Sequence, residues 1–291
     1  MQADLVKCTT QDGVTLDGAF FQPQVATSNR GAVDAMLLVH GSGGSFLGAL
    51  QLYLADRFRQ AGYPAASFNT TGHDLVWGQP GHYFGNAFEI LDRCRIDLDA
   101  AIAWLAGRGY QRIGILGHSM GAVKVVYYQA HTHDPRVAAV IAASPVRLSH
   151  TYFLKSEAAE EYRGYYEKAV ALVDSGQPDA LFPVNFPMPH LWSAAAYIDK
   201  HGPQERYNVI TFTSKVNCPL LLLAGALETH PRLRDAAKDA YATIKGRKDV
   251  RLVIAEGADH GWAGQHERLF DEVLGWLGKL KEAVEVPGGK E

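Results

Sequence analysis

Short, wholly apolar runs alternate with longer stretches in which apolar residues return every three or four positions along most of this chain. AMLLVHG (35–41), AASFN (65–69), RIGILG (112–117), RVAAVIAASP (136–145), PLLLLAG (219–225) and VRLVIAEG (250–257) read as short strands, most of them apolar enough to be buried on both faces. FLGALQLYLADRFRQAGY (46–63) has helical spacing through Leu47, Leu50, Leu54 and Phe58 and ends near Gly62. DRCRIDLDAAIAWLAGRGY (92–110) is amphipathic, with Ile96, Ala100, Trp104 and Leu105 on one side. Further helices are predicted from about 120 to 131 and over HERLFDEVLGWLGKLKEA (266–283). LVKCTTQDGVTLDGAFFQP (5–23) alternates with period two and breaks at Asp12-Gly13, which predicts a hairpin. Strands alternating with helices indicate an α/β fold with a mostly parallel central sheet flanked by helices. Right-handed crossovers then gather the loops of many strands at the carboxyl edge, where such sheets build their sites.

Residues 147–214 break this rhythm. SEAAEEYRGYYEKAVALVDSG (156–176) is helical, with Ser156 as the expected N-cap and acids in the first turn. QPDALFPVNFPMPHLWSAAAY (177–197) holds four prolines and cannot be one element. The expected division is a core of residues 1–146 and 215–291, with 147–214 inserted as a helical cap over the sheet edge. The tail VPGGKE (286–291) is expected to fray.

At 291 residues and 47% hydrophobic the chain can bury a large core. A net charge of -3 and a pI near 6.5 give no electrostatic footprint for nucleic acid or an anionic membrane. No apolar stretch approaches the roughly 18 residues of a membrane span, and MQADLVKCTTQDG lacks the pattern of a secretory signal. Cys8, Cys94 and Cys218 are far apart and odd in number, so buried reduced thiols in a cytoplasmic protein are expected.

The chemistry concentrates at IGILGHSMGAVKV (113–125), where an apolar strand meets a pinched turn and a helix start. A nucleophile elbow needs that context. The strand delivers Ser119, small residues (Gly117, Gly121, Ala122) let strand and helix backbones touch, and the helix N-terminus stabilises negative charge. A serine hydroxyl needs a base within reach. Of twelve histidines, His260 alone follows a predicted core strand on a short loop near the C-terminus, in VIAEGADHGW. An acid must hold that base, and Glu228 lies three residues past Gly225 at the end of PLLLLAG. Asp259 adjoins His260 and suits a turn cap better, while SPVRLS after the sixth strand offers no carboxylate. For the oxyanion, Met120 supplies the N–H after the nucleophile, and HGSGGSF (40–46) can turn in another from Ser42, with Gly43 beside it. His40 reads as an organiser of that loop. His118, Phe46, Tyr166, Trp192, Tyr197 and Trp262 are candidates to contact substrate, and His73 and Asp74 could reach the rim. His131 and His133 in AHTHD lack a third ligand and read as solvated surface, so no metal is expected. Glu160, Glu161 and Glu167 read as the solvated face of the cap helix.

HG-x-G after the third strand, G-H-S-M-G after the fifth, G-x-x-E after the seventh and G-x-D-H after the eighth together resemble the α/β-hydrolase superfamily. The match covers nearly the whole chain outside the cap. It departs in having Glu where Asp is commoner and NTTGHD where many members carry Arg and a G-x-G. The resemblance implies Ser119 as nucleophile, Glu228 as acid, His260 as base, Ser42 and Met120 as oxyanion donors, and neither metal nor organic cofactor. The expected activity is hydrolysis of a small or medium carboxylic ester through an acyl-enzyme. The same parts serve C–C bond hydrolases, lactonases, thioesterases and amidases, and a ligand receptor on an inherited hydrolase fold is a further class. The expected partner is a small-molecule ester, with no nucleic acid and no membrane.

Overall fold

The computed structural model describes residues 2–23, 31–79 and 81–285, so the VPGGKE tail lies outside the described residues. An antiparallel hairpin, β1 (Asp4–Thr9) and β2 (Thr15–Phe21), opens the chain, and Asp12-Gly13 sit in its turn. The parallel part follows: β3 (Ala35–Val39), β4 (Ala65–Phe68), β5 (Ile113–His118), β6 (Val137–Ala143), β7 (Leu220–Gly225) and β8 (Val250–Ala255). The sheet order is β1-β2-β4-β3-β5-β6-β7-β8, antiparallel only where β1 meets β2 and β2 meets β4.

The apolar runs form central strands because neither face meets water. In β7, Leu220 and Leu222 point to one face and Leu221 and Leu223 to the other, and none is exposed. The first face is covered by α2 (Cys94–Ala106) and α3 (Met120–Thr132), the second by α1 (Ala49–Gln60) and α7 (His266–Glu285). Between them in the chain come α4 (Ala159–Asp174), α5 (Ala194–His201) and α6 (Ala236–Ala242). Leu50, Leu54 and Phe58 of α1 pack with Leu269, Phe270 and Val273 of α7. The buried stripe of α2 runs through Leu98, Ala101, Ile102 and Leu105 and includes Asp97, a carboxyl that apolar spacing does not announce. Cys8, Cys94 and Cys218 are free and buried. No helix among the described residues is long and apolar enough to cross a membrane.

Residues 144–219 join β6 to β7; Val146, Leu148, Tyr207, Val209, Phe212 and Val216 of this segment pack in the main core, and the residues between them form a small layer. It contains α4, α5 and a two-stranded ribbon of 181–184 paired antiparallel with 190–193. The ribbon accepts Pro183 because it lies outside the main sheet, where a missing N–H breaks no ladder. Its interior is built from Ala169, Phe182, Val184, Trp192 and Tyr197. Ser156 does not cap α4: the helix starts at Ala159, and the Ser156 hydroxyl donates instead to the Phe153 carbonyl. A preceding helical turn, His150–Phe153, reaches that point first and takes the serine as its closing group. A second small ribbon pairs 77–79 with 82–84.

Candidate active site

β5 ends at His118 and α3 begins at Met120, leaving Ser119 alone in the turn with φ 59° and ψ −122°. Few non-glycine residues adopt such a backbone, and the surroundings must hold it there. Its N–H donates to the Ala143 carbonyl at 2.9 Å, and its own carbonyl accepts from Ala122 at 3.0 Å. The flanking glycines are required by contact. A Cβ at Gly117 would stand 2.1 Å from the Gly121 carbonyl oxygen, and one at Gly121 would stand 2.4 Å from that of Val39.

β8 runs into the loop that carries His260, whose Nε2 lies 2.9 Å from Ser119 Oγ. On the other ring edge Nδ1 lies 3.3 Å from Glu228 Oε2. Both contacts are satisfied when Nδ1 carries the proton and donates to the carboxylate while Nε2 accepts from the serine hydroxyl. The loops holding acid and base are pressed together at Gly225, where a Cβ would meet the Ala258 carbonyl oxygen at 2.3 Å. Glu228 is buried and well tethered: Ser144 Oγ donates to Oε1 at 2.5 Å and the Gly225 N–H at 2.8 Å. Burial pushes this carboxyl up, but the bonds from His260, Ser144 and Gly225 outweigh it and hold it below its ordinary value. Ser144 is itself steered by Trp262, whose Nε1 donates to its hydroxyl at 3.0 Å. Asp259 caps its own turn, accepting from the Ala263 N–H at 3.0 Å.

On the other side of Ser119 lies the HGSGG loop. A Cβ at Gly41 would stand 3.1 Å from the Ser119 Cβ and 3.2 Å from the His118 carbonyl oxygen, tighter than ordinary contact, so glycine eases this close approach. His40 fixes it: Nδ1–H donates to the Gly41 carbonyl at 2.8 Å, and Nε2 accepts the Thr70 N–H at 3.0 Å. Burial keeps this imidazole neutral, with a pKa pulled down to about 3. The N–H groups of Ser42 and Met120 take no acceptor among the described residues. His118 donates from Nε2 to the His260 carbonyl at 2.6 Å, and burial lowers its pKa to about 4.

Beneath NTTGHD lies a charge cluster that spacing gave no hint of. Glu89 faces Lys124 Nζ at 2.6 Å and Lys200 Nζ at 3.3 Å, and all three side chains are buried. Burial opposes ionisation of Glu89, yet the two ammonium groups hold it at about 2. Lys124 also donates to Thr70 Oγ1 at 2.9 Å, which links the cluster to His40. Gly72 makes room for it, since a Cβ there would collide with Glu89 Oε1 at 1.9 Å.

The buried neutral histidines set an acid limit on stability. His40 and His201 both have folded pKa values below the ordinary 6.5, because burial disfavours the charged ring. Their contribution is therefore complete above pH 6.5 and declines as pH falls toward the folded values, by about 1.4 kcal/mol per pH unit for each histidine. Asp97 runs the other way, its pKa raised by burial to about 6, and gives some stability back below that point. His118 and His190, both lowered to about 4 by burial, add to this loss, so urea unfolding at pH 5.0 is expected to show a loss of at least about 3 kcal/mol relative to pH 7.5. Equal or greater stability at pH 5.0 would contradict this account.

A cavity of about 500 Å³ opens above Ser119 and His260. His118, Ser42 and Gly44 line its floor, and Val146, Pro187, Met188 and Leu233 line its walls. Gly43, expected to touch substrate, is not in the lining; its neighbours Gly41, Ser42 and Gly44 are. Phe46 is half-buried against the α1–α7 face of the core. Trp192 and Tyr197 have no exposure and fill the small layer's own interior, with Tyr166 packed at its edge against His150 and Tyr162. Trp262 is wholly buried beneath the site and acts on Ser144. The reason is economy of apolar area: a layer this small needs its large rings for its own core. The walls fall in part to the tip of the 181–193 ribbon, where Met188 and Pro189 stand exposed and Pro187 is buried. Sequence reasoning missed that tip, Ser144 and Arg232, which also lines the cavity. SPVRLS was passed over for lacking a carboxylate, although its hydroxyl is what the acid uses.

The family model "Serine aminopeptidase, S33" matches residues 31–174, a stretch that includes Ser119 but ends before Glu228 and His260. No curated protein matches the chain significantly in sequence. Among solved structures, the α/β hydrolase GrgF from Penicillium sp. sh18 superposes with a TM-score of 0.73 at 18% identity, covering 97% of this chain and all of its own. Est1E from Butyrivibrio proteoclasticus gives a TM-score of 0.64 at 16% identity, covering 96% of this chain and 99% of its own. The Pyrococcus furiosus esterase Pf2001 gives 0.59 at 19% identity, covering 95% and 93%. With the sheet order, the elbow and these likenesses in hand, the chain has the α/β-hydrolase fold.

Proposed function

We propose that the chain is a cytoplasmic serine hydrolase that cleaves a small or medium carboxylic ester through an acyl-enzyme on Ser119, with residues 147–214 as its cap. The observation that carries this reading is the 2.9 Å separation of Ser119 Oγ and His260 Nε2, backed by Glu228 on the far nitrogen. Ser119 Oγ attacks the ester carbonyl as its proton passes to His260 Nε2. The imidazolium, stabilised by Glu228, then gives that proton to the leaving alkoxide, and the alcohol departs. Water enters by the same route in reverse and releases the acid. The Met120 N–H, at the first helical position, and the Ser42 N–H receive the oxyanion. The structural likeness to two esterases, Est1E and Pf2001, favours an ester over other acyl bonds. A fluorophosphonate probe tests the nucleophile: wild type should label to completion and Ser119→Ala not at all. Absent labelling of wild type, or equal labelling of both proteins, refutes the assignment.

A further inference from the structure

Four cationic side chains are buried among the described residues: Lys124, Arg147, Lys200 and Arg232. Lys124 and Lys200 share Glu89, and Arg147 faces Asp239 at 2.5 Å. Arg232 is different. It is only 3% exposed, forms no ion pair among the described residues, and its Nε and Nη2 have no hydrogen-bond partner. The titratable groups that act on it are His190, His201, His230 and Tyr197, none of them a carboxylate. Burial pulls its pKa down only to about 10, so it is a guanidinium at neutral pH. A buried cation with unsatisfied donors is costly, and native interiors rarely carry one without a counter-charge. Arg232 lines the same cavity as Ser119 and His260.

We propose that Arg232 receives a carboxylate of the substrate, so that the cavity selects an ester bearing a free carboxylate over its neutral counterpart. The inference rests on the ester-hydrolase reading above and adds the substrate class. Nη1 is the guanidinium nitrogen that keeps accessible surface; a carboxylate reaching it gains a charge-assisted hydrogen bond, and a single positive charge with neutral neighbours matches a monoanion. The remaining cavity wall, through Val146, Pro187, Met188 and Leu233, is apolar and suits the carbon chain between the two ends.

The test compares wild type, Arg232→Met and Arg232→Lys on two matched pairs. Monomethyl adipate against dimethyl adipate places the charge on the acyl side; 4-acetoxybenzoate against its methyl ester places it on the alcohol side. Wild type should prefer the charged member of at least one pair by about tenfold or more in kcat/KM, through KM. Arg232→Met should lose that preference, with Arg232→Lys in between. Because the methionine removes an uncompensated buried charge at similar volume, its melting temperature should not fall. Equal rates on both members of each pair in wild type, or a preference that survives in folded Arg232→Met, overturns the proposal. If none of the four esters turns over, the ester reading fails by itself, and calorimetric binding to Ser119→Ala still reads Arg232. Anion-selective binding that disappears in Ser119→Ala/Arg232→Met upholds the carboxylate site, and unselective or absent binding refutes it.

Discussion

Replacing Ser119 by alanine is expected to lower kcat/KM for a p-nitrophenyl ester by about 10⁴- to 10⁶-fold, and replacing His260 by alanine to cost about as much. In the proposed mechanism the two groups act as one device. The hydroxyl is activated only through the 2.9 Å contact to Nε2, so removing either partner removes the same step. The double variant should therefore be no slower than the slower single variant. Glu228→Gln is expected to cost less, roughly 10³- to 10⁴-fold, because serine and base remain and only the tautomer and the imidazolium lose support. Steady-state and active-site-titrated rates settle the point. More than about 1% residual activity in Ser119→Ala, or single losses that multiply in the double variant, would be incompatible with the proposed roles.

Glu89→Gln is expected to destabilise the fold by about 3–5 kcal/mol. The carboxylate sits between two ammonium groups that are both wholly buried, so losing its charge strands two cations at once. Lys124→Met leaves one pair, Glu89 with Lys200, and should cost distinctly less. The contrast is the informative quantity, since removing any large buried side chain costs something. Urea denaturation of the two variants at pH 7.5 measures it. A Glu89→Gln loss below about 1 kcal/mol, or no greater than that of Lys124→Met, would show that the cluster is not held by charge.

The sheet was legible because its central parallel strands are buried on both faces and so must be apolar without interruption, as in LLLLAG. The elbow was legible because backbone crowding at Gly117 and Gly121 leaves a mark in residue type. Side chains whose role depends on a distant partner left no such mark. Glu89, Lys124 and Lys200 lie far apart in the chain and each reads alone as a solvated charge. Trp192, Tyr197 and Trp262 are aromatic whether they face a cavity or a core, so residue type could not assign them. Ser156 made an acceptable N-cap by spacing, and lost that place to a helical turn only four residues long. Arg232 in THPRLRD carries no signal in residue type or spacing, and its significance lies in what does not surround it.

The Lys200–Glu89 contact also bears on how Ser119 would be reached. Lys200 belongs to α5 in the covering layer, whereas Glu89 belongs to the body below. Swinging α5 outward would part an ammonium from a carboxylate, both desolvated, and at about 3 kcal/mol such a state is occupied less than about 1% of the time. The 181–193 ribbon forms no ion pair among the described residues, and at its tip Met188 and Pro189 stand exposed beside the cavity. Passage to Ser119 by way of that tip would leave the Lys200–Glu89 pair intact.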